Sequence, residues 1–292
     1  MNIELLDSKG FAQKQRLKHI EFMIMFLGEI SRGELVSKFG IGTAAASRDI
    51  AIYIEISTNN IEYNSQKKNY YKSQQFTPIF DYNANKVLGY LSGNLSIYNE
   101  TSYVPTENPS ELNQPSISII STVSMAIHQN KAMSITYRSI SSGKTSREII
   151  PHTLVNNGLR WHVRAYDRKR ARFTDFVLTR IDDATFLDSD IFTNENLTND
   201  IQWNRVVELI LIPHPNRKNS KTIEMDYNMD NKKLSINVRA AVAGYVLRRW
   251  NVDCTKDATL EGGAYHLWLK NRLALYGVEG LTLAPGFEND FE

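Results

Sequence analysis

Between Gly158 and Ile181 the chain has few ways to fold. Gly158-Leu159-Arg160-Trp161-His162-Val163-Arg164-Ala165-Tyr166-Asp167 alternates apolar and polar residues, and Phe176-Val177-Leu178-Thr179-Arg180-Ile181 follows after a polar run. A period of two puts every second side chain on one side of a pleated strand, so the segment predicts two short strands. Asn156-Asn157-Gly158 and Asp167-Arg168-Lys169-Arg170 supply turns. Basic residues recur on both strands. From Lys131 to Arg180 there are 11 Lys and Arg against 3 Asp and Glu, although the whole chain carries a net charge of only +2. Such a local excess calls for an anionic partner.

The flanking segments obey a different period. Leu17, Ile20, Met23, Ile24 and Leu27 fall at helical spacing, and Phe22, Met25 and Phe26 widen that stripe over a helix from about Gln15 to Leu27. Ser31-Arg32-Gly33-Glu34 is a capping-box pattern opening a second helix, which Gly40 can stop in a left-handed turn. A third helix, capped by Thr43, runs to about Ile56. Ala46, Ile50, Tyr53 and Ile54 form its core face, and Ala44, Ser47, Arg48 and Ala51 its opposite face. A face of small residues with one hydroxyl and one guanidinium suits close approach to a DNA groove. Asn60–Tyr63 and Tyr70–Lys72 read as a hairpin, with Lys67 and Lys68 at its tip as a wing would have them. Three helices of this kind also build interaction modules that bind no nucleic acid.

Residues 81–115 are polar and punctuated by Pro105, Pro109 and Pro115, so they read as a connection with a short helix near Lys86 to Ser92. Ile117 to His128 reads as a helix. Strands are expected at Ala132–Arg138, Ser146–Leu154, Leu159–Tyr166 and Arg172–Thr179, giving a small, strongly bent sheet or barrel. The last third holds strands at Val206–Ile212 and Leu234–Val238, with helices at Lys221–Met229, Val242–Trp250 and His266–Tyr276, a compact α+β domain.

The 292 residues suffice for two or three such domains. Cys254 is the only cysteine, which excludes a disulfide framework and any multi-cysteine metal site. No segment is apolar for the roughly 20 residues of a membrane helix, and Met1-Asn2-Ile3-Glu4 has no basic start before an apolar run. A soluble, cytoplasmic protein without membrane contact is expected.

These pieces, in order, resemble the WYL-domain transcriptional regulators found beside phage-defence operons, the BrxR and CapW group. The resemblance rests on Gly40-Ile41 with Ala45-Ala46-Ser47-Arg48-Asp49-Ile50, on Ile135-Thr136-Tyr137-Arg138-Ser139, and on Pro151-His152. It extends through Arg160-Trp161-His162-Val163-Arg164-Ala165-Tyr166-Asp167 to Leu211-Ile212-Pro213-His214-Pro215. The name-giving triplet is here Trp161-His162-Val163; valine keeps the strand character, and the tyrosine and leucine are replaced. The resemblance implies an α+β multidomain chain. Residues 1–95 would be a winged helix-turn-helix and 96–116 a linker. Residues 117–200 would be an Sm/SH3-like WYL β-barrel that senses a ligand, and 201–292 a C-terminal α+β dimerisation domain. It also implies a homodimer that binds double-stranded DNA at an inverted repeat, represses an operon, and is released by a nucleic-acid or nucleotide-like anion. BREX and CBASS are the defence systems such regulators accompany.

For DNA contact the residues singled out are Thr43, Ser47, Arg48, Lys67 and Lys68. For the anionic ligand they are Tyr137, Ser139, His152, His162, Arg164 and Arg180, with Trp161 read either as core or as a stacking platform. Arginine offers a planar fork of donors that fits phosphate, and an aromatic ring can stack a base. Arg168, Lys169, Arg170 and Arg172 read as a solvated face or a landing strip for a longer polyanion. His214 and His266 read as structural. Two other functions use the same parts: a transcriptional activator, and an enzyme processing nucleotides or phosphodiesters in the basic centre. Against an enzyme stand an acid-poor centre and the lack of a metal-ligand cluster, a phosphate-cradling glycine loop or a nucleophile triad, so no catalytic residue, metal or cofactor is expected.

Overall fold

The computed structural model describes residues 3–92 and 112–288. Most of the expected linker, with Pro105 and Pro109, therefore lies outside the described residues. The chain divides into two compact units, one of residues 1–154 and 162–190, the other of residues 155–161 and 191–292.

The first unit opens with α1 (Ile3–Asp7), α2 (Phe11–Phe26), β1 (Glu29–Ile30), α3 (Arg32–Phe39) and α4 (Thr43–Ile56). The hairpin of β2 (Ile61–Asn64) and β3 (Asn69–Lys72) and the helix α5 (Ala84–Leu91) follow. β1 joins the hairpin as the outer strand of a three-stranded sheet, order β1-β3-β2. Leu17, Ile20, Ile24, Leu35, Ala46, Ile50 and Tyr53 form the buried core among α2, α3 and α4. The second apolar face of α2 is covered as well: Phe22 and Phe26 are buried against Tyr82 and Tyr90. A helix apolar on two sides needs partners on both.

One polar network crosses this core. The buried Glu21 carboxylate accepts from the backbone N–H groups of Ile79 and Phe80 and from the Tyr53 hydroxyl, and the Asn60 amide donates to Tyr53 Oη. Burial still dominates and holds the Glu21 carboxyl above the usual range.

α6 (Ile117–His128) packs on a five-stranded antiparallel sheet made of β4 (Met133–Ser139), β5 (Gly143–Asn156), β6 (Trp161–Asp167), β7 (Arg172–Val177) and β8 (Ile181–Phe186), in the order β7-β6-β5-β4-β8. A register shift between Thr136 and Tyr137 bends β4 against β8. The strand Ile181–Phe186 went unread in the sequence because Asp182 and Asp183 break its apolar pattern at the exposed sheet edge.

The second unit contains α7 (Ile201–Asn204), β9 (Val206–Pro213), α8 (Ser220–Asp226), β10 (Leu234–Arg239), α9 (Ala240–Arg249), β11 (Val252–Asp253) and β12 (Leu267–Leu269). Its sheet order is β10-β9-β12-β11, with β11 parallel to β12. The expected helix His266–Tyr276 is a correction: Leu267–Leu269 is a strand beside β9, followed by a 3-10 turn at Arg272–Leu275. Leu267 and Leu269 are buried while Trp268 is half-buried, a period of two. The Asn271 side chain accepts from Ile210 N–H and donates to Glu208 C=O, which fixes the edge of that pairing. Local propensity yielded to a sheet needing a partner.

Candidate DNA-binding face and central basic domain

The α3–α4 turn forms as its residues dictate. Ser31 Oγ accepts from Glu34 N–H while Glu34 accepts from Ser31 N–H, and Gly40 turns left-handed at φ 63°. The N-cap of α4 is Gly42, with no side-chain cap, so Thr43 lies inside the first turn and does not cap. That leaves the Thr43 hydroxyl on the exposed end of the helix. Thr43, Ala44, Arg48 and Ala51 are exposed, and Ser47 is half-buried with its Oγ 3.4 Å from Arg32 Nη1. Arg32 was not picked out in the sequence; only the α3–α4 crossing brings it beside Ser47.

The rear of α4 is fixed by a buried charge. Asp49 is 2% exposed, accepts from Arg16 Nε at 2.6 Å and from Gln13 Nε2 at 2.8 Å, and so ties α4 to α2. The exposed face is thus held rigidly against the three-helix core.

At the wing, Asn64 Oδ1 accepts from the backbone N–H groups of Gln66 and Lys67, and Lys68 takes a left-handed conformation at φ 54°. Lys67 and Lys68 are exposed at the tip. The Lys67 ammonium lies 5.9 Å from the centre of the Tyr71 ring.

The central sheet separates the expected ligand residues onto two faces. His162, Arg164 and Tyr166 stand opposite Val177, Asp175 and Phe173, and share one face of the β6–β7 ribbon. His152 joins that face through an edge contact with the Phe173 ring at 5.8 Å. The alternate residues Val163 and Phe176 share the other face, where the Tyr137 ring meets Phe176 at 5.1 Å and its hydroxyl accepts from Val177 N–H. Trp161 is half-buried at the start of β6. Ser139 ends β4, its hydroxyl 3.0 Å from that of Ser141, and Arg180 closes the 3-10 turn after β7, half-buried.

Charge pairing decides what this domain presents. Arg164 is 5% exposed and donates to Asp175 at 3.0 Å. Arg147, unremarked in the sequence, is buried against Asp167 at 3.2 Å. Glu148 lies 3.6 Å from Arg168. Each of the three acids in the basic segment therefore faces an arginine. Lys169, Arg170 and Arg172 remain exposed at the β6–β7 turn, which Ala171 closes at φ 49°.

In the second unit His214 is buried, and its Nδ1 accepts from Asn216 N–H. The ring proton therefore sits on Nε2, which faces the Asp253 carboxylate at 3.0 Å. Burial pushes the Asp253 carboxyl up, but donors from Thr255, Leu260 and His214 together hold it below the usual range. The pair joins β9 to β11 and so braces this sheet. His266 is exposed, and its carbonyl accepts from His214 N–H.

Three families of known proteins match successive parts of the chain. Residues 12–93 match the family described as BrxR transcriptional regulator winged helix-turn-helix domain, residues 118–186 the WYL domain, and residues 206–275 the BrxR transcriptional regulator C-terminal dimerization domain. The DNA-binding transcriptional repressor CapW of Escherichia coli (strain KTE188) is 30% identical over 281 residues, covering 92% of this chain and 92% of that protein. CapW of Pseudomonas aeruginosa is 29% identical, covering 90% of each chain. Among solved structures, the proteasome accessory factor PafBC of Arthrobacter aurescens aligns over 80% of this chain and 44% of its own, at 14% identity and a TM-score of 0.27. The order of the three domains and the span of the CapW match show that this chain belongs to the BrxR and CapW family of winged-helix, WYL-domain transcriptional regulators.

Proposed function

We propose that this protein is a homodimeric, ligand-released repressor of a phage-defence operon. In this reading residues 1–95 read DNA, 96–116 link, 117–200 sense the effector and 201–292 dimerise. The observation that carries it is the exposed face of α4, small except for Arg48 and held from behind by Asp49, with the wing lysines in the same three-helix module. Thr43, Ser47 and Arg48 meet one DNA half-site, Lys67 and Lys68 its flanking phosphates, and Arg32 supports Ser47. A two-fold dimer then requires an inverted repeat.

The effector is a nucleic acid or nucleotide. Exposed Lys169, Arg170 and Arg172 attract its phosphates, and the face carrying His152, His162 and Arg164 adjoins them, with Tyr137, Ser139, Trp161 and Arg180 elsewhere in the same domain. DNA, the effector and a second copy of the chain are the partners in this reading, and no helix of the described residues is long and apolar enough to cross a membrane.

Fluorescence anisotropy tests the reading: the duplex upstream of the protein's own reading frame is compared with a scrambled duplex at fixed salt. Selective binding, reversed by a short single-stranded oligonucleotide, is the expected result. Equal weak binding to both duplexes would overturn it.

A further inference from the structure

β9 packs one face into the core, and its other face carries Val206, Glu208, Ile210 and Ile212. Val207, Leu209 and Leu211 are buried in the core of the second unit. Ile210 and Ile212, on the other face, are half-buried and floor a cleft of about 690 Å³. Pro213 and Pro215 continue that floor. The walls are cationic: Arg217, Lys232, Lys233 and Lys270 line the cleft, and no carboxylate is among its lining residues. Ser220, Asn231 and Asn271 add neutral polar groups.

One of these cations is anchored by its side chain, and another stands on a constrained turn. Arg217 donates from Nε to Tyr265 C=O at 3.0 Å and from Nη2 to Gly262 C=O, which anchors its side chain against the 262–265 loop. Lys232 sits in a tight turn between Asp230 and Lys233, where Asn231 and Lys232 both have left-handed backbones at φ 48° and 61°. Asparagine suits the first of these positions, and glycine is the usual residue at the second. A lysine there keeps a side chain where the backbone favours none, and such local strain concentrates at binding sites.

We infer that this cleft is an anion site separate from the central basic domain, taking a ligand that joins a flat apolar group to two or more phosphates, such as a nucleoside polyphosphate. Its volume falls within the range of small-molecule sites, roughly 300–1,000 Å³. The isoleucine and proline floor takes the ring and the lysines take the phosphates. An inhibitory or activating nucleotide bound here would act on the unit whose family is described by dimerisation.

Isothermal titration of the full chain with ATP and with inorganic tripolyphosphate tests this. Saturable binding of both is expected, tighter for ATP because of the floor. In Lys232→Gly/Lys233→Ala/Lys270→Ala both affinities should fall at least about tenfold, since three charges leave the site. The same variant should melt at or above the wild-type temperature, because glycine relieves the turn, and a triple Lys→Arg variant should retain binding. Because the β6–β7 turn can itself attract nucleotide phosphates, the same titrations are repeated with Lys169→Ala/Arg170→Ala/Arg172→Ala as the background, where saturable binding should persist and the cleft substitutions should still lower both affinities. No saturable binding in that background, or an affinity there that the cleft substitutions leave unchanged, would overturn the inference. Because the titration needs no DNA, it stands or falls apart from operator binding.

Discussion

At the scale of single residues, the chain places ionisable groups where water is absent and satisfies them by specific partners. Asp49 is held by Arg16, Asp167 by Arg147 and Asp253 by its ring of donors. His19 is instead buried beside a cation, its Nδ1 3.4 Å from the Tyr90 hydroxyl. It is 3% exposed, wedged edge-on against Phe39, and near Tyr90 and Lys38. Burial, reinforced by the Lys38 charge, lowers its pKa from 6.5 to about 4. The unfolded chain therefore takes up a proton between those values while the folded chain does not. Stability is present in full above pH 6.5 and is lost as pH falls toward 4, by on the order of 3 kcal/mol over the whole window. Chemical denaturation at pH 7.5 and pH 5 should show a large part of that loss, and His19→Leu should remove its own share of it. An identical pH dependence in the variant would refute the assignment.

Sequence reasoning reached some of these residues and not others. The capping box of Ser31 and Glu34 and the left-handed Gly40 were legible because three or four neighbouring residues determine them. Arg32 and Arg147 were not, because each acquires its role from a partner that the fold brings in from another element. Arg164 was legible as a strand residue, but its engagement by Asp175 depends on the β6–β7 register.

At the scale of elements, the junction of α2, β3 and α6 links the DNA-binding and WYL domains within one compact unit. The last carbonyls of a helix lack partners of their own. Here α6 supplies them: Ser121 Oγ donates to Met25 C=O at 2.6 Å, Ser124 Oγ to Phe26 C=O at 2.7 Å, and Gln129 Nε2 to Leu27 C=O at 3.2 Å. Gly28 then turns at φ 85°, where an added Cβ would meet the Gln129 amide. The base of the wing closes the junction, with Lys72 N–H donating to Gly28 C=O and Asn69 donating to Glu29, which also lies 3.6 Å from His128. Movement of α6 on its sheet would thus be felt at the end of α2 and in the wing. Ser121→Ala/Ser124→Ala leaves two buried carbonyls unpaired and should cost about 2–4 kcal/mol, read as a lower denaturation midpoint. In the regulator reading it should also weaken the effect of ligand on DNA affinity. Wild-type stability in this variant would show the caps to be idle.

The helix Ile117–His128 was fully readable from its apolar period. Its task was not, because serines on a helix face look like solvent residues until the carbonyls they cap are known. β12 shows the reverse: Leu267-Trp268-Leu269 fits either period, and the sheet alone decides.

At the scale of the whole molecule, charge is distributed unevenly. α4 carries one exposed arginine, the central domain a lysine and arginine turn, and the second unit a cationic cleft amid a more acidic sequence. The exposed apolar residues Ile201, Val206, Leu273 and Tyr276 all lie in the second unit, which contains the match to the dimerization domain at residues 206–275. Sedimentation at micromolar concentration should show a dimer, and a monomer would remove the need for an inverted repeat.

The regulator reading requires that the α4 face touch DNA. The salt dependence of binding, measured for wild type and Arg48→Ala on both operator and scrambled duplex, tests it most directly. Weaker binding of the variant to both duplexes is expected, with a log–log salt slope smaller by about one, the signature of one lost phosphate contact. Unchanged affinity and slope on both duplexes would contradict it.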